Sequence, residues 1–306
     1  MDGCMSAPAS SSVDGYDARS LRHERRMISI YRRDAQNDGG LLQPLANACR
    51  RAASFEWILF RDVNAVRRLW AEAARTLAAG FTQRRPGFDP SPDQLILALH
   101  LSIAAKDRDS FTSLSQICPD RAGALREARA FRASRAHFHL AEGYTLIARS
   151  LVERRREPAR AAVQSLDAAR RTSDRGWWEQ QFPEPLEAAW RLCEHEALCA
   201  LLSAVAQVLA DEPGRGNERA RVAKINLAAD EISAIVDDTL LLLDRFIASD
   251  INHHPKLYCW LPGLALCTLA ATAGLPMQWL LERHASRAPG YERLPLDLLR
   301  NVAVPE

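Results

Sequence analysis

The sequence predicts an all-α protein, built as a multi-helix bundle or a stacked array of αα-hairpins. Three observations carry this. Alanine and leucine dominate the composition, while aromatic residues make up only 7%, a balance that favours helix. Apolar residues recur at i, i+3 and i+4 through most of the chain. No stretch of useful length alternates apolar and polar residues as a half-buried strand does. Gly 14 and Pro 16 in 306 residues are also too few for a loop-dominated β protein.

The elements follow in order. Residues 1–25 are polar and rich in serine, and read as a flexible tail. A basic region, "RHERRMISIYRRDAQNDGG", leads into the body, 26–306, read as one helical domain. "RDVNAVRRLWAEAARTLAAGF" places Val63, Val66, Leu69, Trp70, Ala73 and Leu77 on one face of an amphipathic helix. The next helix begins at "SPDQ": Ser91 suits the cap, Pro92 the first helical position, and Gln94 the reciprocal position of a capping box. Its continuation "LILALHLSIAA" is apolar on most faces, which predicts a central helix with His100 as a hydrogen-bonded core residue.

After the polar break "KDRD", "SFTSLSQIC" forms a helix that Pro119 stops. A long helix follows from about residue 122 to 152, with Phe138, Ala141, Tyr144, Ile147 and Leu151 on one face. Pro158 opens the next, bearing Val163, Leu166 and Ala169. The short breaks between such pairs predict antiparallel hairpins. "TSDRGWWEQQFPEP", residues 172–185, is irregular and is the candidate subdomain hinge. A long helix runs from about Leu186 to Ala210. Another carries Val222, Ile225, Ala229, Ile232, Val236, Leu240, Leu243 and Ile247 without a slip in period.

Near the C-terminus, "KLYCWLPGLALCTLAATAGLPMQWLLE" has no charge between Lys256 and Glu282. Pro262 and the Gly274–Pro276 punctuation leave an uninterrupted helix of about 11 residues. That is roughly 16 Å, against a hydrocarbon core of about 30 Å. The segment therefore reads as a buried helix and not a membrane span.

The net charge of +2 gives no strong electrostatic bias. Arginine clusters are scattered and interleaved with acids, so they read as solvated helix faces and not a nucleic-acid surface. Seven cysteines without a C-x-x-C pair point to a reducing compartment. The N-terminal residues lack an apolar core region, so no export signal is expected and the cytoplasm is the expected location.

No pattern assembles a catalytic, metal or cofactor site. Glu194, His195 and Glu196 are consecutive on a helix and point in three directions. His139 and Glu142 share a face, but in the order opposite to a di-iron Glu-x-x-His motif. Asp237 and Asp238 lack the second carboxylate pair one turn away that would hold magnesium. His253 and His254 are adjacent in a turn. Trp177 and Trp178, a pair of large aromatics in a polar segment, are the candidate partner anchors. Covering the core from above is the competing role for both.

Several stretches together resemble one known family. "FEWILFRDVNAVRRLWAEAA" is similar to its aromatic-Leu-Phe stretch followed by an aspartate and a helix. "LILALHLSIAAKDRDSFTSL" resembles its apolar helix, charged turn and second helix. "LYCWLPGLALCTLAATAGL" and "YERLP" resemble its C-terminal helix and tail. The chain thereby resembles the immunity protein 49 family of bacterial polymorphic-toxin and type VI secretion systems, over about residues 50 to 300. The resemblance implies an all-helical protein that binds and neutralises a cognate toxin, and it supplies no catalytic residues; without an export signal the toxin is expected to act in the cytoplasm. No enzymatic activity, cofactor, nucleic-acid partner or membrane is expected. A helical-repeat scaffold and an all-α enzyme are the alternatives.

Overall fold

A computed structural model describes residues 11–83, 85–117, 135–211, 232, 234–246 and 260–273. Among these residues the structure is all-α, without a strand. The helices are α1 (Ser11–Asp34), α2 (Leu42–Phe60), α3 (Val63–Gln83), α4 (Pro92–Ala105), α5 (Arg108–Ser115), α6 (Arg135–Glu153), α7 (Glu157–Thr172), α8 (Arg175–Gln181), α9 (Pro185–Ala210) and α10 (Leu261–Thr272). Residues 234–246 are helical as well. The expected Ala122–Ser134 part of the α6 helix, Val222–Ala229, His253–His254 and Tyr291–Pro295 lie outside the described residues.

Consecutive helices pack as neighbours: α1 on α2, α2 on α3, α3 on α4, and α6 on α7. The short connections of an αα-hairpin leave no other choice. α4 sits at the centre, against α3, α5, α6 and α10, and α9 lies against α6, α7, α8 and α10. Both are apolar around their circumference for this reason: each faces other helices on several sides. Among the described residues α9 alone is long and apolar enough to cross a membrane, and its 56% burial among neighbours accounts for that apolarity.

Helix contacts are built on alanine. Ala48, Ala52, Ala53, Ala73, Ala74, Ala98, Ala141, Ala148, Ala162 and Ala270 are fully buried. Larger side chains, among them Leu77, Leu99, Ile147, Leu166 and Trp190, fill the spaces between. Gly143 shows how close the approach is: a Cβ there would stand 2.7 Å from Leu166 Cγ on α7, so only glycine fits.

The caps match the sequence in part. Ser91 Oγ accepts the Gln94 N–H at the start of α4. The reciprocal half of the expected capping box does not form, because the Gln94 side chain donates to Gln43 Oε1 on α2 at 2.7 Å. Three helices end in residues with left-handed backbone: Arg61 after α2, Lys106 after α4 and Arg154 after α6.

Residues 11–25 of the expected tail are helical, as part of α1, Ser11–Asp34. Asp17, Leu21, Glu24 and Ile28 fall every three or four residues on its inner face, and all are buried. Glu24 accepts both Nε and Nη2 of Arg51 at 2.7 and 2.9 Å. Arg25 pairs with the buried Glu56, and Arg32 with Glu72 on α3. Two acids read as tail polarity are in fact inward-facing. Partners on α2 that hydropathy does not reveal make Glu24 tolerable in the interior.

The expected hinge, residues 172–185, holds the short α8 between non-helical breaks at 173–174 and 182–184. Asp174 Oδ1 accepts the Gly176 N–H and caps the short α8, and Glu184 accepts the Glu187 N–H at the start of α9. One continuous apolar core runs from Leu21 through α9 to Ala270. Replacement of Leu21 by Ala is expected to lower unfolding free energy by about 2–3 kcal/mol in urea titration. An unchanged midpoint would mean that α1 is not docked.

Candidate functional site

The two predicted anchors, Trp177 and Trp178, stand on α8. Trp178 is buried, 4% exposed, and its Nε1 donates to Ser173 Oγ at 3.4 Å. Its ring lies 5.0 Å from His137, 5.6 Å from His195 and 6.0 Å from Phe182. Trp177 is half-buried, edge-on to Trp178 and 5.3 Å from His137. The pair closes an aromatic cluster where α8 covers α6 and α9. Trp178 is therefore core cover and no surface anchor. Only the outer edge of Trp177 reaches solvent.

Reactive side chains lie in the interior, held in their neutral forms. His195 is buried, and its Nε2 lies 3.6 Å from Cys199 Sγ. Burial, reinforced by the neighbouring His137, depresses its pKa to about 4. His100 is buried against Tyr144, ring centroids 5.3 Å apart. Burial pushes its pKa down to about 3. Its Nε2 and the Tyr144 hydroxyl lack hydrogen-bond partners among the described residues. Burial raises the Cys49, Cys199 and Cys267 thiols to about 12, which leaves almost no thiolate near neutral pH. His139 Nδ1 is 3.7 Å from Glu142 Oε2, which also accepts from Ser165. No group of three metal-ligating side chains occurs among the described residues.

A third polar group closes the C-terminal side of the core. Trp260 Nε1 donates to Glu194 Oε1 at 2.9 Å. Arg191 lies over the Trp190 ring at 4.1 Å and pairs with Glu187 and Glu194. The Trp260 ring lies across Gly263, where a Cβ would meet it at 2.1 Å. The "LPG" punctuation thus serves packing: only glycine lets the indole lie on the first turn of α10.

What the interior withholds, the corner between α2 and α3 presents. Phe60, the last residue of α2, is 61% exposed. Arg61 turns the chain in the left-handed region, φ 53°, and its guanidinium covers Trp57 at 4.8 Å. Asp62 Oδ1 then accepts the N–H groups of Asn64 and Ala65 and caps α3. The cap fixes the exit of the corner, so Phe60 is displayed on a rigid turn. Leu59 beside it is half-buried and packs on the core. Sequence periodicity places Phe60 in an apolar run and so misses its exposure. The signal that reveals it is position, one residue before an Arg-Asp corner.

Comparison with known protein families, with characterised proteins and with solved structures finds no match to this chain.

Two predictions follow from these burials. Trp178→Ala is expected to cost about 3 kcal/mol of stability, as large buried aromatics do, with Trp177→Ala costing clearly less; calorimetric melting separates them. The buried histidines also set a pH dependence. The unfolded chain protonates both below about 6.5, while the folded chain resists until about 4 and about 3. The unfolded state then binds more protons, so stability falls as pH drops through that window. The slope is about 1.4 kcal/mol per pH unit for each histidine. Denaturation midpoints of a His100→Leu/His195→Leu variant should fall less steeply over the same range.

Proposed function

We propose that this chain is an immunity protein, binding a cognate toxin that acts in the cytoplasm and neutralising it by contact. The carrying observation is Phe60. It is a large aromatic, 61% exposed, fixed on a capped corner. It also lies within "FEWILFRDVNAVRRLWAEAA", the stretch that carries the resemblance to the immunity protein 49 family. Large aromatic side chains, Phe among them, are enriched in the cores of protein interfaces. Binding, and not catalysis, is supported by the state of the reactive groups, since the buried histidines are neutral and the buried thiols protonated near pH 7. Free Cys49, Cys193, Cys199 and Cys267 suit a reducing cytoplasm.

The test is genetic. Deleting the gene should sensitise the producing cell to the toxin encoded beside it, and a plasmid copy should restore growth. Unaltered growth of the deletion strain under toxin expression overturns the reading. A Phe60→Asp copy should bind the toxin roughly thirtyfold more weakly, the ~2 kcal/mol typical of a hot-spot residue, with its melting temperature kept.

A further inference from the structure

α1 presents a one-sided charge pattern to solvent. From residue 18 to 33 its exposed side chains are Arg19, Arg22, His23, Arg25, Arg26, Ser29, Arg32 and Arg33. Asp17 and Glu24, on the same helix, are turned inward and buried. Arg19, Arg22, Arg26 and Arg33 follow one another at intervals of three, four and seven, with Ser29 in the gap, so they form a single row. It is roughly 21 Å long at about 1.5 Å per residue. Arg33 pairs with Asp34. The described residues offer Arg19, Arg22 and Arg26 no ion pair.

The inner shoulder of the same helix shows what such arginines bind. Arg25 holds Glu56 through Nε and Nη2, and Arg32 forks onto both oxygens of Glu72 at 2.7 and 2.8 Å. Arg51 answers with the reverse pairing onto Glu24. α1 is thus a helix whose guanidinium forks are satisfied by carboxylates wherever a neighbouring helix faces it. The outer row repeats the chemistry, and among the described residues no carboxylate pairs with Arg19, Arg22 or Arg26.

Phe60 belongs to the same end of this hairpin. α1 and α2 run antiparallel, with Glu24 beside Arg51 and Arg25 beside Glu56. Continuing that register by one turn of α2 brings Phe60 to the level of the N-terminal half of α1, where Arg19 and Arg22 stand. An exposed aromatic at the level of exposed arginines matches the composition of protein interfaces, where aromatic residues and arginine are enriched. A nucleic acid fits less well. Single-stranded nucleic acid is held by several aromatic rings spaced along a basic groove, whereas here one phenyl ring, Phe60, stands at the end of the row.

Resting on the reading of the chain as a toxin-binding protein, we propose that the Arg19–Arg22–Arg26 row of α1, with Phe60 at its end, docks a carboxylate-rich face of the protein partner. Electrostatic complementarity of this kind raises the association rate and makes it sensitive to salt.

The probe is a fluorescein-labelled oligo-glutamate peptide, titrated with the full chain in anisotropy, beside a single-stranded DNA of equal charge. The peptide should bind, more weakly as salt rises. The Arg19→Glu/Arg22→Glu/Arg26→Glu variant should bind about tenfold or more weakly, the sum of three exposed ion pairs lost. An Arg→Ala triple variant separates lost attraction from added repulsion, and circular dichroism melts confirm that both fold. Equal binding by wild type and both variants overturns the proposal. So does absence of peptide binding, or tighter binding of the DNA that the same substitutions abolish. Failure of the function itself has a different signature. If wild type does not protect cells from the neighbouring toxin, the immunity reading falls while the peptide titration still decides the surface. If wild type protects and the triple variant protects equally, the surface falls and the function stands.

Discussion

Close helix approach through alanine is the constraint on which this structure depends. A helix face of alanines brings a neighbour's backbone to the short end of the usual 8–10 Å separation. Interdigitated leucines and tryptophans must then fit fixed spaces, as Leu166 does above Gly143. Close packing of this kind tolerates little change in volume. It also explains the state of the polar groups inside. His100, Tyr144 and His195 lie among tightly packed helices where an ionised form has no solvation, so each is kept neutral.

The surface is organised differently. Where α1 meets α2 and α3, charges are matched across the seam: Glu24 with Arg51, Arg25 with Glu56, Arg32 with Glu72. Those pairs orient α1 and leave its remaining arginines facing outward. The same seam therefore does two things. It docks a helix whose apolar stripe is short, and it sorts the arginines into those already satisfied and those still available. A chain of nearly neutral net charge can carry a cationic strip this way, because Asp17, Glu24 and Glu56, acids of α1 and α2, are turned inward and buried.

Much of the architecture was legible in the sequence. The α4 start, the α6–α7 hairpin and the long α9 follow from caps, prolines and the 3.6-residue period, because these elements bury apolar faces by local rules. α1 was not legible. Its inner face includes Asp17 and Glu24, and a pattern search for apolar stripes scores such positions as solvent. Only the arrival of Arg51, 27 positions away from Glu24, makes that burial favourable. The choice between anchor and core cover at Trp177–Trp178 could not be read from the sequence for the opposite reason. Polar neighbours suggested a loop, yet Asp174 caps a helical turn that folds Trp178 onto His137 and His195. Phe60 was hidden inside an apolar run. In each case a contact distant in sequence, or a single capping residue, overrode the local pattern.

The three left-handed helix ends have a consequence for how this chain tolerates change. Glycine is the residue that relaxes such a backbone, yet Arg61, Lys106 and Arg154 occupy the positions. Each puts a cation at the negative end of a helix, which offsets part of the conformational cost. At Lys106 and Arg154, glycine exchanges one modest contribution for another. At Arg61 it does not, since the guanidinium also roofs Trp57. Sequence drift should therefore pass freely through two of these corners and stall at the third, leaving the residue beside Phe60 as a marker by which divergent copies of this chain could be aligned.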